Sequence, residues 1–341
     1  MLLLMMASST IITMSSSHWL LAWAGLEMNT LAIIPIISKL HHPRATEAAT
    51  KYFLTQATAS TVLLFAGSMN AWKTGQWHIT QMTTPESTMM LTLALAMKLG
   101  LAPFHFWLPE VLQGSTMSTA TIISTWQKLA PIILLYLNID NLNKTILMIL
   151  GLLSALLGGW GGLNQTQTRK IMAFSSIAHM GWMFMALTTN PNIALLTLAI
   201  YLILSTAMFT TLMMTSSKTM LDLGTSWAKT PTLMMMSTLT LMSLGGLPPL
   251  TGFMPKLLIL KELIQNNHLI MISTMMALST LPSLFFYLRM SYMTSLTMPP
   301  ETTNSMHKWR FKTKDMTPIL PSIMLANLLL PITPLIMNLH L

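Results

Sequence analysis

The sequence predicts an all-α polytopic membrane protein of about eleven transmembrane helices, folded as a single domain over residues 1–341. Three observations carry that expectation. Of the 341 residues 52% are hydrophobic and only 8% charged, against about 25% charged in an ordinary soluble domain. The apolar residues gather into segments of about 20 residues, the length a bilayer requires. The basic residues between those segments then sort onto one side of the membrane.

The segments run approximately over 1–16, 18–38, 48–70, 87–109, 117–137, 144–162, 170–188, 192–214, 231–263, 267–291 and 318–338. The first lacks the basic start and small-residue cleavage site of a secretory signal, so it reads as a permanent span. None shows the alternation of a membrane β-strand, and no hydrophilic linker interrupts the array. The ninth, 231–263, is broken by Pro248 and Pro249, and the fourth, 87–109, by Pro103. With these spans, Lys39, Arg44, Lys51, Arg169, Lys170, Lys218, Lys229, Arg289, Lys308, Arg310, Lys312 and Lys314 share one side, while Lys73, Lys144 and Lys261 share the other. One missed span would scramble every later loop, so the twelve-to-three split supports the helix count. It places the N-terminus on the positive, inner side and the C-terminus opposite.

Composition also excludes chemistry. Without cysteine there is no disulfide, no cysteine-ligated zinc and no ordinary iron–sulfur cluster, so electron transfer belongs to other chains. The basic balance does not indicate nucleic acid, because no loop joins dense positive charge to aromatics. No phosphate-cradling glycine loop, HExxH or nucleophile elbow occurs. The 35 methionines are scattered through apolar spans and read as packing.

An internal echo suggests a repeat. Leu99-Gly100-Leu101-Ala102-Pro103 resembles Leu244-Gly245-Gly246-Leu247-Pro248, and Pro103 to Pro109 has the spacing of Pro249 to Pro255. The offset contains an odd number of spans, so the second copy would enter the membrane inverted. Inverted repeats with broken helices in matching positions build mid-membrane sites in transporters. The first repeat covers about 1–140, the second about 143–292, and a C-terminal helix about 318–338.

Charged residues within spans are the functional candidates. A lysine at mid-bilayer costs about 2.5–3.5 kcal/mol on insertion scales. Lys98 lies about ten residues, roughly 15 Å, from either end of its span, too far for its ammonium to reach the headgroups. Glu27 is the one acid near the centre of a span and its natural partner. The pair reads either as a fixed bridge between two helices or as a titrating couple. The sequence offers Lys128 and Lys256 no second central acid. Burial without counter-charge disfavours the ammonium form and lets a lysine exchange its proton, so one acid followed by three lysines favours a proton relay. His179 is either a member of that relay or a packing residue. His105 either accepts protons at the helix break or caps a freed carbonyl. The breaks at Pro103 and Pro248-Pro249 free carbonyls that need water or protein donors, predicting small polar cavities beside Lys98 and Lys256. Hydroxyls such as Thr119, Ser124, Ser175, Ser176 and Ser205 either line water or serve helix packing, and Gly158, Gly159, Gly161 and Gly162 predict close packing.

Six stretches, SSHWLLAWAGLEMNTLAIIPI, HHPRATEAATKYFLTQATAS, LALAMKLGLAPFHFWLPEVLQG, TWQKLAP, QTQTRKIMAFSSIAHMGWM and GGLPPLTGFMPK, resemble the antiporter-like, proton-translocating subunits of respiratory complex I. The resemblance covers essentially the whole chain. It implies two inverted five-helix repeats, each with one broken helix. It also assigns Glu27 as the key intramembrane glutamate, Lys98 as the lysine of the first broken helix, Lys128 as the central connecting lysine, Lys256 as the lysine of the second broken helix, and His179 as a polar position on the same axis. By the same resemblance the chain binds no cofactor itself. NADH, FMN, iron–sulfur clusters and ubiquinone belong to other subunits of the complex. Its partners are other membrane-arm subunits, including a neighbouring antiporter-like one, and phospholipids. The location is the mitochondrial inner membrane, with the N-terminus in the matrix and the C-terminus in the intermembrane space. Methionine richness fits the animal mitochondrial code, and the absence of a targeting segment fits synthesis within the organelle. The chain resembles the animal form, which lacks the first three helices of bacterial relatives, and because the terminal lysine can be a glutamate in a sibling subunit, Lys256 marks this branch rather than the whole family. The function expected is proton translocation coupled to NADH oxidation and ubiquinone reduction elsewhere. The alternatives are a non-conducting assembly subunit and a stand-alone sodium/proton antiporter.

Overall fold

Proline and glycine set the helix boundaries. In the computed structural model, which describes residues 1–39, 41–227, 230–266, 269–295 and 319–333, Pro43, Pro85, Pro191 and Pro231 open helices, where a missing N–H goes unneeded. Gly100 and Gly246 close helices in the left-handed conformation, with φ of 73° and 80°, which a side chain would resist. The chain divides into two compact units, Met1–Ser154 and Ala155–Leu341. Among the described residues there is no strand, only isolated bridges between His18 and His78 and between Gln167 and Thr219.

The first unit contains α1 (Leu2–Ser15), α2 (Trp19–Ser38), α3 (Pro43–Thr74), α4 (Pro85–Leu99), α5 (Trp107–Gly114), α6 (Met117–Ser124), α7 (Trp126–Leu137) and the start of α8 (Lys144–Gly162). Helices α1 to α4 pack in sequence, α5 returns onto α3, and α7 lies against α4, α1 and α2. The predicted fourth span is the broken pair α4–α5. The predicted fifth is interrupted as well, which the sequence reading did not anticipate: α6 and α7 meet at Thr125, with φ −113° and ψ −70°. Pro131 supplies the physical reason, because its ring displaces the carbonyl four residues earlier, that of Gln127, and opens the preceding turn.

The second unit contains most of α8, then α9 (Thr168–Thr189), α10 (Pro191–Thr215), α11 (Met220–Ser226), α12 (Pro231–Gly245), α13 (Phe253–Gln265), α14 (Ile270–Ser295) and α15 (Ile319–Leu328), followed by a 3₁₀ turn at Leu330–Ile332. Helix α10 packs on α9, α12, α13 and α15, while α14 packs on α12, α11 and α13. Glycines of α8 meet their neighbours closely, as expected. A Cβ on Gly158 would lie 2.7 Å from the Ala178 nitrogen, and one on Gly162 would lie 2.7 Å from the Phe286 ring. The short α11 was not foreseen. It is started by a capping box in which Thr219 and Asp222 each bond the other's backbone N–H, and burial of Leu223 holds it.

Within the described residues, every predicted segment corresponds to a helix or a broken pair. Among the described residues, six helices are long and apolar enough to span a membrane by length and composition alone: Trp19–Ser38, Met117–Leu137 counted through its kink, Lys144–Gly162, Thr168–Thr189, Pro191–Thr215 and Ile270–Ser295. The rest fall short for local reasons. Helix α1 has 14 residues, two spans are broken, and α3 buries Gln56, Ser60 and Asn70, which lower its hydropathy. Residues 318 and 334–338 of the expected C-terminal helix, with Lys229, Lys308, Arg310, Lys312 and Lys314, lie outside the described residues.

Candidate functional site

In the first unit, Lys98 sits in the last turn of α4, just before Gly100. It is 6% exposed, and its Nζ has no hydrogen-bond partner among the described residues. The break beside it is satisfied by other groups. The Trp107 indole N–H donates to the Met97 carbonyl at 3.2 Å, and the Gln56 amide approaches the Lys98 carbonyl at 3.5 Å. His105 is buried and hydrogen-bonds the Pro103 backbone, which can only be through its carbonyl, so here the ring caps. Its face rests on Phe106 at 4.3 Å.

Glu27 is half-buried on α2, and its Oε2 is buried without a hydrogen-bond partner. Its charge acts on Lys98 and on the Tyr52 phenol. The two do not form an ion pair, which would bring nitrogen and oxygen within 4.0 Å. The ion pairs among the described residues are between exposed side chains elsewhere: Lys51 with Glu47 at 2.5 Å and Glu110 at 2.7 Å, and Lys73 with Glu86 at 2.5 Å. Glu27 and Lys98 therefore interact through space without contact. A buried ammonium in this position is costly to hold charged and is biased by whatever the carboxylate does.

Lys128, 2% exposed, lies in the first turn of α7, just after the interruption at Thr125. It lines one internal cavity with Lys98, together with Asn29, Thr30, Tyr52, Gln56 and Gln127, and the space measures about 10 Å³, the scale of a single water. Three of these polar groups are bonded to one another. The Tyr52 hydroxyl donates to Gln127 Oε1 at 3.3 Å, and Gln127 Nε2 donates to Asn29 Oδ1 at 2.8 Å.

In the second unit the lysine stands on the other side of its break. Lys256 lies in the first turn of α13, 9% exposed, and its Nζ donates to the Gly245 carbonyl at 2.7 Å, capping the end of α12. It crosses the face of Gly246, where a Cβ would meet its Nζ at 2.9 Å. His179 shares a cavity of about 20 Å³ with Lys256, Thr197 and Tyr201. Its Nε2 is 3.4 Å from the Tyr287 hydroxyl, and its ring is 5.6 Å from that of Tyr201. The tyrosines are bonded in turn to serines: Tyr201 to Ser176 and Ser205, Tyr287 to Ser175. Each of these serines also donates to a carbonyl of its own helix, three residues back. They serve both local packing and the polar chain.

Of the residues singled out in the sequence, Lys98 and Lys128 line one cavity of the first unit, with Glu27 acting on Lys98 through space and His105 beside the break, and His179 and Lys256 line one cavity of the second. Asn29, Tyr52, Gln56, Gln127, Tyr201 and Tyr287 were not foreseen from the sequence. A signal was present: of five tyrosines in the chain, Tyr52, Tyr201 and Tyr287 stand in mid-helix, and a buried phenol needs a partner.

Residues 16–282 match the family model described as NADH:quinone oxidoreductase/Mrp antiporter, transmembrane, and residues 284–337 match that of the NADH dehydrogenase subunit 2 C-terminus. The chain is 54% identical to NADH-ubiquinone oxidoreductase chain 2 of Xenopus laevis, over 97% of this chain and 96% of the other. It is 52% identical to that of Bos taurus, over 98% and 96%. Among solved structures, a chain of respiratory complex I from Thermus thermophilus superposes with a TM-score of 0.85 at 26% identity, covering 99% of this chain and 78% of that one. A chain of the Mrp complex from Dietzia sp. gives 0.84 at 17% identity, covering 99% and 76%, a likeness of fold.

Proposed function

The chain belongs to the NADH:quinone oxidoreductase/Mrp antiporter transmembrane family, and from that premise we propose that it is a proton-translocating membrane subunit of an NADH:ubiquinone oxidoreductase. It conducts protons while redox chemistry occurs in other subunits, which hold the NADH site, FMN, iron–sulfur clusters and ubiquinone. Its partners are neighbouring membrane-arm subunits, an antiporter-like one among them, and phospholipids. It resides in the mitochondrial inner membrane with its N-terminus in the matrix and its C-terminus in the intermembrane space, the orientation favoured by the basic loops.

The observation that carries the reading is Lys98: an ammonium buried away from lipid, without a hydrogen-bond partner among the described residues, within the field of Glu27 and on one cavity with Lys128. Approach of the carboxylate holds the proton on Lys98, and withdrawal releases it toward Lys128. In the second unit His179 and Lys256 handle the proton around their own cavity. Each charge moved across 100 mV requires about 2.3 kcal/mol, and one pKa unit corresponds to about 1.4 kcal/mol, so shifts of a few units suffice.

The test is Lys98→Met in the assembled complex reconstituted in vesicles, counting protons translocated per NADH oxidised. The ratio should fall, and a wild-type ratio overturns the mechanism. Sodium flux driven by this chain alone in liposomes would instead support a stand-alone antiporter. Assembly with normal pumping after apolar replacement of both Lys128 and Lys256 would support a purely structural subunit.

A further inference from the structure

The cavity that Lys98 and Lys128 share is also lined by neutral hydrogen-bonding groups, a phenol and carboxamides. Tyr52 and Gln56 lie one turn apart on α3, a spacing that puts them on one face. That face reaches Lys98, since Gln56 approaches the Lys98 carbonyl. At the other end stands Gln127, the residue before Lys128 in the turn opened by Pro131. Its carboxamide is held at both ends, by the Tyr52 hydroxyl and by Asn29 Oδ1. The bonds tie three helices, α3, α7 and α2, across the cavity the two lysines share. Tyr52 and Asn29 are buried, and Trp107 fixes the Tyr52 ring edge-on at 5.7 Å.

We propose that Asn29, Tyr52 and Gln127 form a clasp that blocks proton transfer between Lys98 and Lys128 while its hydrogen bonds are made, and opens the path when they yield to water. The inference rests on the proton-transfer reading above. Its chemistry is simple. A carboxamide NH₂ only donates and its oxygen only accepts, so a proton cannot pass along Tyr52–Gln127–Asn29 without leaving an amide in a high-energy form. A mobile water in the same space both donates and accepts and can pass the proton on.

The experiment uses the assembled complex in proteoliposomes and reads passive proton leak with turnover stopped, beside protons pumped per NADH. Gln127→Met keeps the length of the side chain and removes both bonds. The leak should rise about fivefold, the scale set by a hydrogen bond's worth of stabilisation, and the pumped ratio should fall. Adding Lys98→Met to Gln127→Met should return the leak to the wild-type level, because the path is cut upstream. A leak that persists in the double variant comes from damaged packing and overturns the clasp. So does a Gln127→Met complex that pumps less without leaking more, since Gln127 would then be a conduit. If Gln127→Met does not assemble, Tyr52→Phe and Asn29→Leu each delete one bond, and an unchanged leak in both overturns the proposal. Failure of the underlying reading looks different: Lys98→Met alone would pump normally.

Discussion

The two broken helices use the same residues and put them to different use. In α4–α5 the lysine comes before the break, and Trp107 and Gln56 take up the exposed carbonyls, so Lys98 is spared structural work. In α12–α13 the lysine comes after the break, and its ammonium reaches back to bond the Gly245 carbonyl. A glycine, prolines and a lysine therefore do not by themselves define a proton carrier. The order of lysine and break decides whether the ammonium is spoken for. One lysine is poised by a distant carboxylate, the other by the negative end of a half-helix.

Opposite effects on stability would test the contrast most forcefully. Lys256→Met leaves a buried helix-end carbonyl without its charged donor and should cost about 1.5–3 kcal/mol. Lys98→Met replaces a buried ammonium lacking a hydrogen-bond partner with an apolar side chain of similar length and should be neutral or stabilising. Thermal dissociation of the assembled complex reads both. Equal destabilisation would erase the distinction. A smaller effect is expected from Tyr287→Phe, which removes a 3.4 Å contact with His179 at the weak end of hydrogen-bond geometry. The pumping rate should drop about twofold, and an unchanged rate would make His179 a packing residue.

Most local, and smallest in its effect on pumping, is Asp222→Ala, far from either lysine in sequence. Backbone N–H groups of Thr219 and Lys218 reach its carboxylate at 2.8 and 3.1 Å and hold its carboxyl below the ordinary value of 3.8. A group with a lowered folded pKa stabilises fully above its ordinary pKa and loses that contribution as pH falls through the folded value. At neutral pH the cap is fully engaged. Its loss should cost about 1 kcal/mol, seen as faster amide exchange in α11 with pumping intact.

Hydropathy and basic loops made the helical array legible, because a bilayer imposes one length on every span. Lys98, Lys128, Lys256 and Glu27 were legible because charge in an apolar segment is costly wherever it occurs. Local pattern could not reveal the bonds among Tyr52, Gln127 and Asn29, whose partners lie 75 and 98 positions apart. Amides and phenols are too mildly polar to stand out among threonines and serines. The Thr125 interruption was hidden for a related reason: Pro131 announces a kink, but the packing around it decides which turn opens. Nor does the spacing of lysine and proline say which carbonyls already have donors, and that is the feature separating Lys98 from Lys256.

The central claim is that Lys98 acts by giving up and regaining a proton, and Lys98→Arg addresses it most directly. Arginine keeps the positive charge near Glu27 but does not deprotonate in proteins. Protons translocated per NADH by the reconstituted complex should collapse in Lys98→Arg much as in Lys98→Met. A ratio close to wild type with arginine would mean that fixed charge is all this position supplies, and would contradict the account.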